Sequence, residues 1–130
     1  MKPILCFLIL FGRASQYAPS VMDSVIAVRQ SGRTAYSLPT QLPIVDGYVA
    51  VADCERIGSI ISVRPVGTEK WESFLVVDCA SKSDHQSETD PRSGYQWMMD
   101  GNVLVEVDHK TAVRWDTVGR AIDIEVINGS

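Results

Sequence analysis

The chain has 130 residues, enough for one domain with a substantial apolar core and too few for two. Apolar residues make up 45% of it and charged residues 22%, the balance of an ordinary soluble globular protein. Its net charge of −4 argues against nucleic-acid binding, which normally uses a basic surface, and against polyanionic partners. An uncharged or cationic polymer is compatible with this charge.

The N-terminus predicts export. The apolar run 3–12 is too short to span a bilayer but has the length of a signal-peptide core, and a lysine precedes it. Gly12 and Ala14 are the small residues expected just before a cleavage after Ala14. This interpretation divides the chain into a signal peptide, 1–14, and a secreted or periplasmic domain, 15–130, without stable membrane insertion. The alternative is that the run is the buried first strand of a cytosolic protein.

The number of cysteines supports export. Cys6 would leave with the signal peptide, and Cys54 and Cys79 would remain as an even pair. Both end apolar, strand-like runs, so neighbouring strands would bring them together in a disulfide; the alternative is two reduced, buried cysteines. The sequence has no CxxC motif, paired His/Cys spacing or Gly-rich phosphate loop, so neither a metal site nor a cofactor is predicted.

Apolar patterns predict one helix and three strands in the first part of the chain. The helix covers 19–30, with a proline in its first turn and a glycine two residues beyond its end. Apolar runs predict strands at 48–52, 60–63 and 71–77. The polar segment 81–94 that follows is expected to be a surface loop.

The segment 105–126 contains the pattern around which the domain is organised. Alternating valines predict a strand that ends at Asp108, and alternating apolar residues predict another strand at 122–126. A short helix at 110–115 and a turn at Gly119 connect the two strands. The side chain of Asp108 is therefore expected at a strand end, on a rigid support.

The same order of features occurs earlier in the chain. A strand ends at Asp53, a turn follows, and Gly58 leads into the next strand as Gly119 does later. This echo indicates two pseudo-equivalent halves within one barrel.

Four motifs together match a known family. They are Gly12-x-Ala14-Ser15-x-Tyr17-x-Pro19, Ile57-Gly58 before the strand at 60–63, Phe74 to Asp78, and Val107-Asp108 with Gly119 and the final strand. They resemble the double-psi β-barrel domain of rare lipoprotein A, which is related to expansins, barwin and membrane-bound lytic transglycosylase A. The resemblance covers about residues 12–126. It implies a mainly β fold, a six-stranded double-psi β-barrel with one N-terminal helix and one short second helix.

The chain departs from the family pattern after both of its matching aspartates. The family has a Gly/Pro turn after the first, whereas Cys79-Ala80 and a polar loop follow Asp78. It has an Asp-Leu-Ser-type motif at the second, whereas this chain has Asp108-His109-Lys110.

The resemblance implies that Asp78 and Asp108 are the catalytic acidic residues of a sugar-binding groove. A partly desolvated carboxyl group has a raised pKa and can deliver a proton to the leaving oxygen of a glycosidic bond. A lytic transglycosylase needs one such group, because the muramyl 6-hydroxyl is its nucleophile, whereas a hydrolase needs a second carboxylate. The alternatives are structural: Asp108 as the N-cap of the following helix, and Asp78 as a turn-forming residue.

Four further residues are predicted to bind substrate. Asp53 corresponds to Asp108 in the echo, and His109 could assist proton transfer at its neighbour. Tyr95 and Trp97 could stack on sugar rings. The alternatives are a surface position for His109 and core packing for the two aromatic residues.

The predicted function is action on a cell-wall glycan, most concretely as a lytic transglycosylase-like protein on peptidoglycan. The alternatives are a non-catalytic glycan-binding module of the expansin type, or a structural or interaction protein that uses the barrel as a scaffold. Neither the exact glycan nor the oligomeric state follows from the sequence.

Overall fold

A closed sheet of six strands dominates the computed structural model, which describes residues 8–127. The helices and strands are, in chain order, β1 (Ile9–Gln16), α1 (Val21–Gln30), β2 (Gly47–Val51), β3 (Ile60–Pro65), β4 (Glu72–Cys79), α2 (Gly94–Asp100), β5 (Val103–Val107), α3 (His109–Arg114) and β6 (Ile122–Ile127). A single 3-10 turn, Cys54–Arg56, lies between β2 and β3 in this part of the chain. The prediction of a mainly β fold is confirmed.

The strands lie side by side in the order β1-β5-β2-β4-β3-β6, and β6 pairs with β1 to close the sheet. The pairs β1–β5 and β2–β4 are parallel, and the other four pairs are antiparallel. If β1 is exchanged with β4, β2 with β5 and β3 with β6, every strand keeps the same set of neighbouring pairs around the closed sheet. The segments β2–β3 and β5–β6 therefore occupy equivalent positions, and these are the segments that carry the sequence echo.

Apolar side chains fill the inside of the closed sheet because one side of each strand is apolar. In β5, Val103, Val105 and Val107 are buried, whereas the intervening Leu104 and Glu106 are partly exposed. Val105 and Val107 belong to a cluster of buried apolar residues inside the sheet, called the interior cluster. Its other members come from the remaining strands and α3, and they are Ala14, Val49, Ile61, Val63, Phe74, Val76, Ala112, Ile124 and Val126. Each fully buried Val, Ile or Phe side chain of this cluster contributes roughly 1.5–3 kcal/mol to the free energy of unfolding.

Helix α1 packs on the outside of the sheet. Its buried residues Met22 and Ile26 lie four apart, on one face of the helix, and contact Leu75 and Val77 on the outer face of β4. This packing brings the C-terminal turn of α1 to the end of β4, where Asp78 lies.

Strand β1 begins earlier than the sequence predicted. The expected first strand started at Ser15, after a cleavage, whereas β1 covers Ile9–Gln16. Every register pair between β1 and β6 lies in residues 9–14, and Ala14 is 2% exposed in the core. A cleavage after Ala14 would thus fall inside β1. Cys6 and the beginning of the predicted signal core lie outside the described residues.

The expected number of helices is wrong by one, because α2 was not predicted. The side chain of Ser93 accepts a hydrogen bond from the Gln96 N–H at 3.0 Å, which caps the helix, and Gly101 ends it. The Ser-x-x-Gln spacing is a recognised start signal. The start signal lies at the end of the polar segment 81–94, which was predicted to be a surface loop, and the helix that follows has only seven residues.

The predicted disulfide between Cys54 and Cys79 is confirmed. The two Cα atoms lie 4.9 Å apart and the sequence separation is 25 residues. Closing a loop of this length contributes about 3 kcal/mol on the chain-entropy estimate. The bond holds the turn after β2 against the residue that follows Asp78.

Candidate functional site

Asp78 is the centre of a polar cluster on the outside of the sheet. Arg29, in the last turn of α1, donates from Nη2 to Asp78 Oδ1 at 2.6 Å. The hydroxyl of Tyr17 donates to Asp78 Oδ2 at 2.6 Å. Both carboxylate oxygens are therefore engaged, and the ion pair is shielded, since its side chains are 13% and 17% exposed.

Backbone contacts fix the two partners of Asp78. Tyr17 follows directly after β1, and its N–H donates to the carbonyl of Val107 at 2.8 Å, which extends the β1–β5 ladder. Arg29 is fixed by the packing of α1 and by a second hydrogen bond, from Nη1 to the carbonyl of Tyr36 at 3.2 Å.

Glu106 joins the cluster from β5. The register pairs Ser15 with Glu106, Glu106 with Ala50, and Ala50 with Asp78, so these four residues form one row across β1, β5, β2 and β4. Their neighbours Ala14, Val105, Val107 and Val49 belong to the interior cluster, so the row lies on the outer face. The Cα atoms of Glu106 and Asp78 are thus two strand spacings apart, or about 10 Å.

Burial changes the acidity of this cluster. It raises the pKa of the Glu106 carboxyl from 4.5 to about 7, and the negative charge of Asp78 adds to the effect. The pKa of Tyr17 is raised far above its ordinary value, first by burial and then by its hydrogen bond to Asp78. Near neutral pH the cluster therefore combines an ion-paired carboxylate, Asp78, with a carboxyl group that exists in both protonation states.

Replacing Glu106 with Gln is expected to stabilise the protein by about 2 kcal/mol above pH 7. Between pH 4.5, the ordinary value, and about 7, the folded protein holds a proton on Glu106 that the unfolded chain has released. Wild-type stability should therefore fall as the pH rises through this range, and the variant should lack that fall. Arg29, Tyr17 and Asp78 remain in both proteins.

Urea unfolding at pH 5 and pH 8 measures this effect. Glu88→Gln is the matched control, because Glu88 lies exposed in the polar loop. Equal pH slopes for wild type and Glu106→Gln would contradict the raised pKa.

Asp108 lies elsewhere, at the junction of β2, β5 and α3. It is 8% exposed, and its Oδ1 accepts hydrogen bonds from the Tyr48 N–H at 3.0 Å and from the Thr111 hydroxyl at 2.7 Å. Its backbone begins α3 in the N-cap position, although its side chain forms no cap bond to a backbone N–H of that helix. The carboxylate thus joins α3 to β2.

The two aspartates do not line a common cavity among those found in the described residues. Asp78 borders one of about 310 Å³ beside the C-terminal half of α1, with Val25, Val28 and Thr34 in its walls. Asp108 borders a second, of about 230 Å³, beside the start of the same helix.

The other predicted polar residues are also dispersed. His109 lines the Asp108 cavity, which Asp23 borders as well. Asp53 caps the 3-10 turn, where its Oδ1 accepts from the Glu55 N–H at 3.0 Å, and it borders a different cavity with Leu104.

The two predicted aromatic residues lie on α2. Trp97 is partly exposed and lines a cavity of about 520 Å³ between α2, β1 and the segment before β6. The ammonium group of Lys82 lies over the ring of Tyr95, 4.9 Å from the ring centre. Trp97 is therefore the one of the pair that faces a space large enough for a sugar.

Sequence reasoning missed Glu106, Arg29 and Tyr17 as members of the Asp78 cluster. Glu106 is the charged residue between the buried valines of β5, and an acidic residue in an otherwise apolar strand was a usable signal. Arg29 and Tyr17 are separated from Asp78 by 49 and 61 residues, so local patterns could not connect them.

Residues 8–127 contain neither a metal-binding cluster nor a membrane-spanning helix. No group of three or more His, Cys, Asp or Glu side chains in this part of the chain could hold a metal ion. No helix there is long and apolar enough to cross a bilayer. Comparison with known proteins found no family model and no curated protein that matches the chain.

Proposed function

We propose that this protein acts on a cell-envelope glycan as a lytic transglycosylase-like enzyme, with Glu106 as its acid. The observation that carries the proposal is the Glu106 carboxyl, whose pKa is about 7, beside the ion-paired Asp78. The two carboxyl groups differ in their contacts, and one that keeps its proton near neutral pH can act as a general acid.

The proposed reaction uses this difference. Protonated Glu106 donates its proton to the glycosidic oxygen, and the bond from that oxygen to the anomeric carbon breaks. The muramyl 6-hydroxyl attacks the same carbon, and its proton passes to Glu106, which is thereby restored. The Asp78 carboxylate, which Arg29 and Tyr17 hold in place, helps Glu106 to keep its proton near neutral pH, because its negative charge adds to the raised pKa of Glu106.

We infer a double-psi β-barrel as the finer description of the fold. Its support is the ring order, the two parallel pairs β1–β5 and β2–β4, and the equivalence of β2–β3 with β5–β6. Secretion to the periplasm or cell surface is part of the same proposal. The disulfide supports an oxidising compartment, where such bonds persist.

One observation favours a second function, a non-catalytic glycan-binding module. The two aspartates implied by the family resemblance are both engaged within the protein, Asp78 by Arg29 and Tyr17, and Asp108 by Tyr48 and Thr111. In such a module the outer face of the sheet would bind a glycan without cleaving it.

Digestion of purified peptidoglycan by the full chain, with the disulfide intact, tests the proposal. Wild type and Glu88→Gln should release anhydromuramyl products, and Glu106→Gln should be slower by about 100-fold or more, since general acid catalysis contributes this much. Asp108→Asn should retain most of the rate, because the amide oxygen can still accept both hydrogen bonds.

The products separate the candidate functions. Co-sedimentation of the protein with peptidoglycan, without products, would contradict the proposed enzyme activity and support the glycan-binding module. A protein that neither cleaves nor sediments would exclude both and leave the scaffold role.

A further inference from the structure

The cavity that Trp97 lines has features of a ligand site that the proposed cleavage does not use. Its volume is about 520 Å³, within the range of small-molecule sites. The indole of Trp97 offers an apolar wall, and Arg13 and Arg120 border the same space.

The two arginines give this cavity a local positive charge, although the whole chain is acidic. Neither Arg13 nor Arg120 forms an ion pair with any residue in the described range 8–127. Arg120 donates from Nη2 to the Asp116 carbonyl, which is uncharged. Arg92, the third arginine of the lining, is already neutralised by Asp90 and Asp100.

The wall that carries Arg120 is held in place before any ligand arrives. The side chain of Gln16, in β1, donates to the carbonyls of Thr117 and Arg120, both at 2.9 Å. It also accepts from the Gly119 N–H at 2.9 Å, and Thr117 is 2% exposed. A site with a prearranged wall loses little conformational entropy on binding.

These groups select one class of ligand. A guanidinium group binds a carboxylate with two parallel hydrogen bonds, and a flat aromatic face packs against the C–H groups of a sugar ring. Arg92 pairs with two carboxylates, Asp90 and Asp100, so this group has a net negative charge and disfavours a ligand with several negative charges. A sugar with a single carboxylate satisfies all three conditions.

We propose that the Trp97 cavity is a binding subsite for a glycan residue that carries a carboxylate, which Arg13 and Arg120 bind while Trp97 supports the ring. This inference rests on the proposed glycan function and adds the chemical class of the sugar. Ser15 connects the two regions, because it lines the cavity and also begins the row of Glu106, Ala50 and Asp78.

The test compares binding to two forms of one glycan by calorimetry. The first form is peptidoglycan strands stripped of stem peptides, which expose lactyl carboxylates, and the second is the same strands after chemical reduction of those carboxylates to alcohols. Wild type should bind the carboxylate form about tenfold more tightly, the effect of losing a charge-assisted hydrogen bond.

The variants locate the effect. Arg13→Gln with Arg120→Gln should remove the preference between the two forms, whereas Arg33→Gln, which changes an exposed arginine outside the cavity, should keep it. Trp97→Ala should weaken binding of both forms.

The outcomes distinguish the two proposals. Equal wild-type affinity for both forms would overturn the subsite and leave the glycan function standing, and this comparison does not depend on how any variant folds. A preference that persists in the double arginine variant would also overturn it. Absence of binding to either form would overturn the glycan function and the subsite together.

Discussion

A chain that begins at Ser15 is expected to lose its cooperative fold. All register pairs between β1 and β6 lie in residues 9–14, so this truncation removes the ladder that closes the sheet. It also removes Ala14 from the core and uncovers Ile124 and Val126 of β6. Because native proteins are stable by only about 5–15 kcal/mol, the loss of most of a strand is expected to unfold the domain.

Thermal unfolding monitored by circular dichroism measures this effect, with the full chain and a chain that begins at Leu8 for comparison. The Leu8 chain keeps β1 entire and should still unfold cooperatively. Cooperative unfolding of the Ser15 chain near the temperature of the full chain would contradict the role of β1. It would also fit the cleavage after Ala14 that the sequence predicts.

Asp108→Ala is expected to lower the free energy of unfolding by about 3 kcal/mol. The change leaves the Tyr48 N–H and the fully buried Thr111 hydroxyl without their acceptor, and each unsatisfied buried group costs about 1–3 kcal/mol. On the side of Gly47 the packing is tight, because a Cβ there would lie 2.8 Å from Asp108 Oδ1.

Urea unfolding of Asp108→Ala, Asp108→Asn and Asp84→Ala separates the role of the acceptor from that of the charge. The asparagine variant keeps an oxygen at Oδ1 and should lose less than half as much stability as the alanine variant. Asp84 is exposed in the polar loop and should tolerate alanine with a change within about 0.5 kcal/mol. Equal stability of wild type and Asp108→Ala would contradict the structural role.

The sequence by itself determined the mainly β class and most of the elements after β1. Strands β5 and β6 follow from apolar alternation and α1 from its apolar face, because these local patterns match the period of the structure that they form. The disulfide followed from two cysteines at strand ends. Its formation depends on β2 and β4 lying side by side, and the sequence left this open beside the alternative of two reduced cysteines.

The tertiary structure decided where the N-terminal apolar run lies and which contacts the charged residues make. A short apolar run is compatible with a signal peptide and with a strand. Pairing with β5 and β6 places Ile9–Gln16 in the sheet, where the first residues of the strand are exposed and Ala14 is buried. The raised pKa of Glu106 depends on burial and on Asp78, two strands away. The hydrogen bonds that Asp108 accepts depend on the positions of Tyr48 and Thr111. Acidity and hydrogen bonding are set by what the fold brings within a few ångströms, and a one-dimensional pattern does not contain those distances.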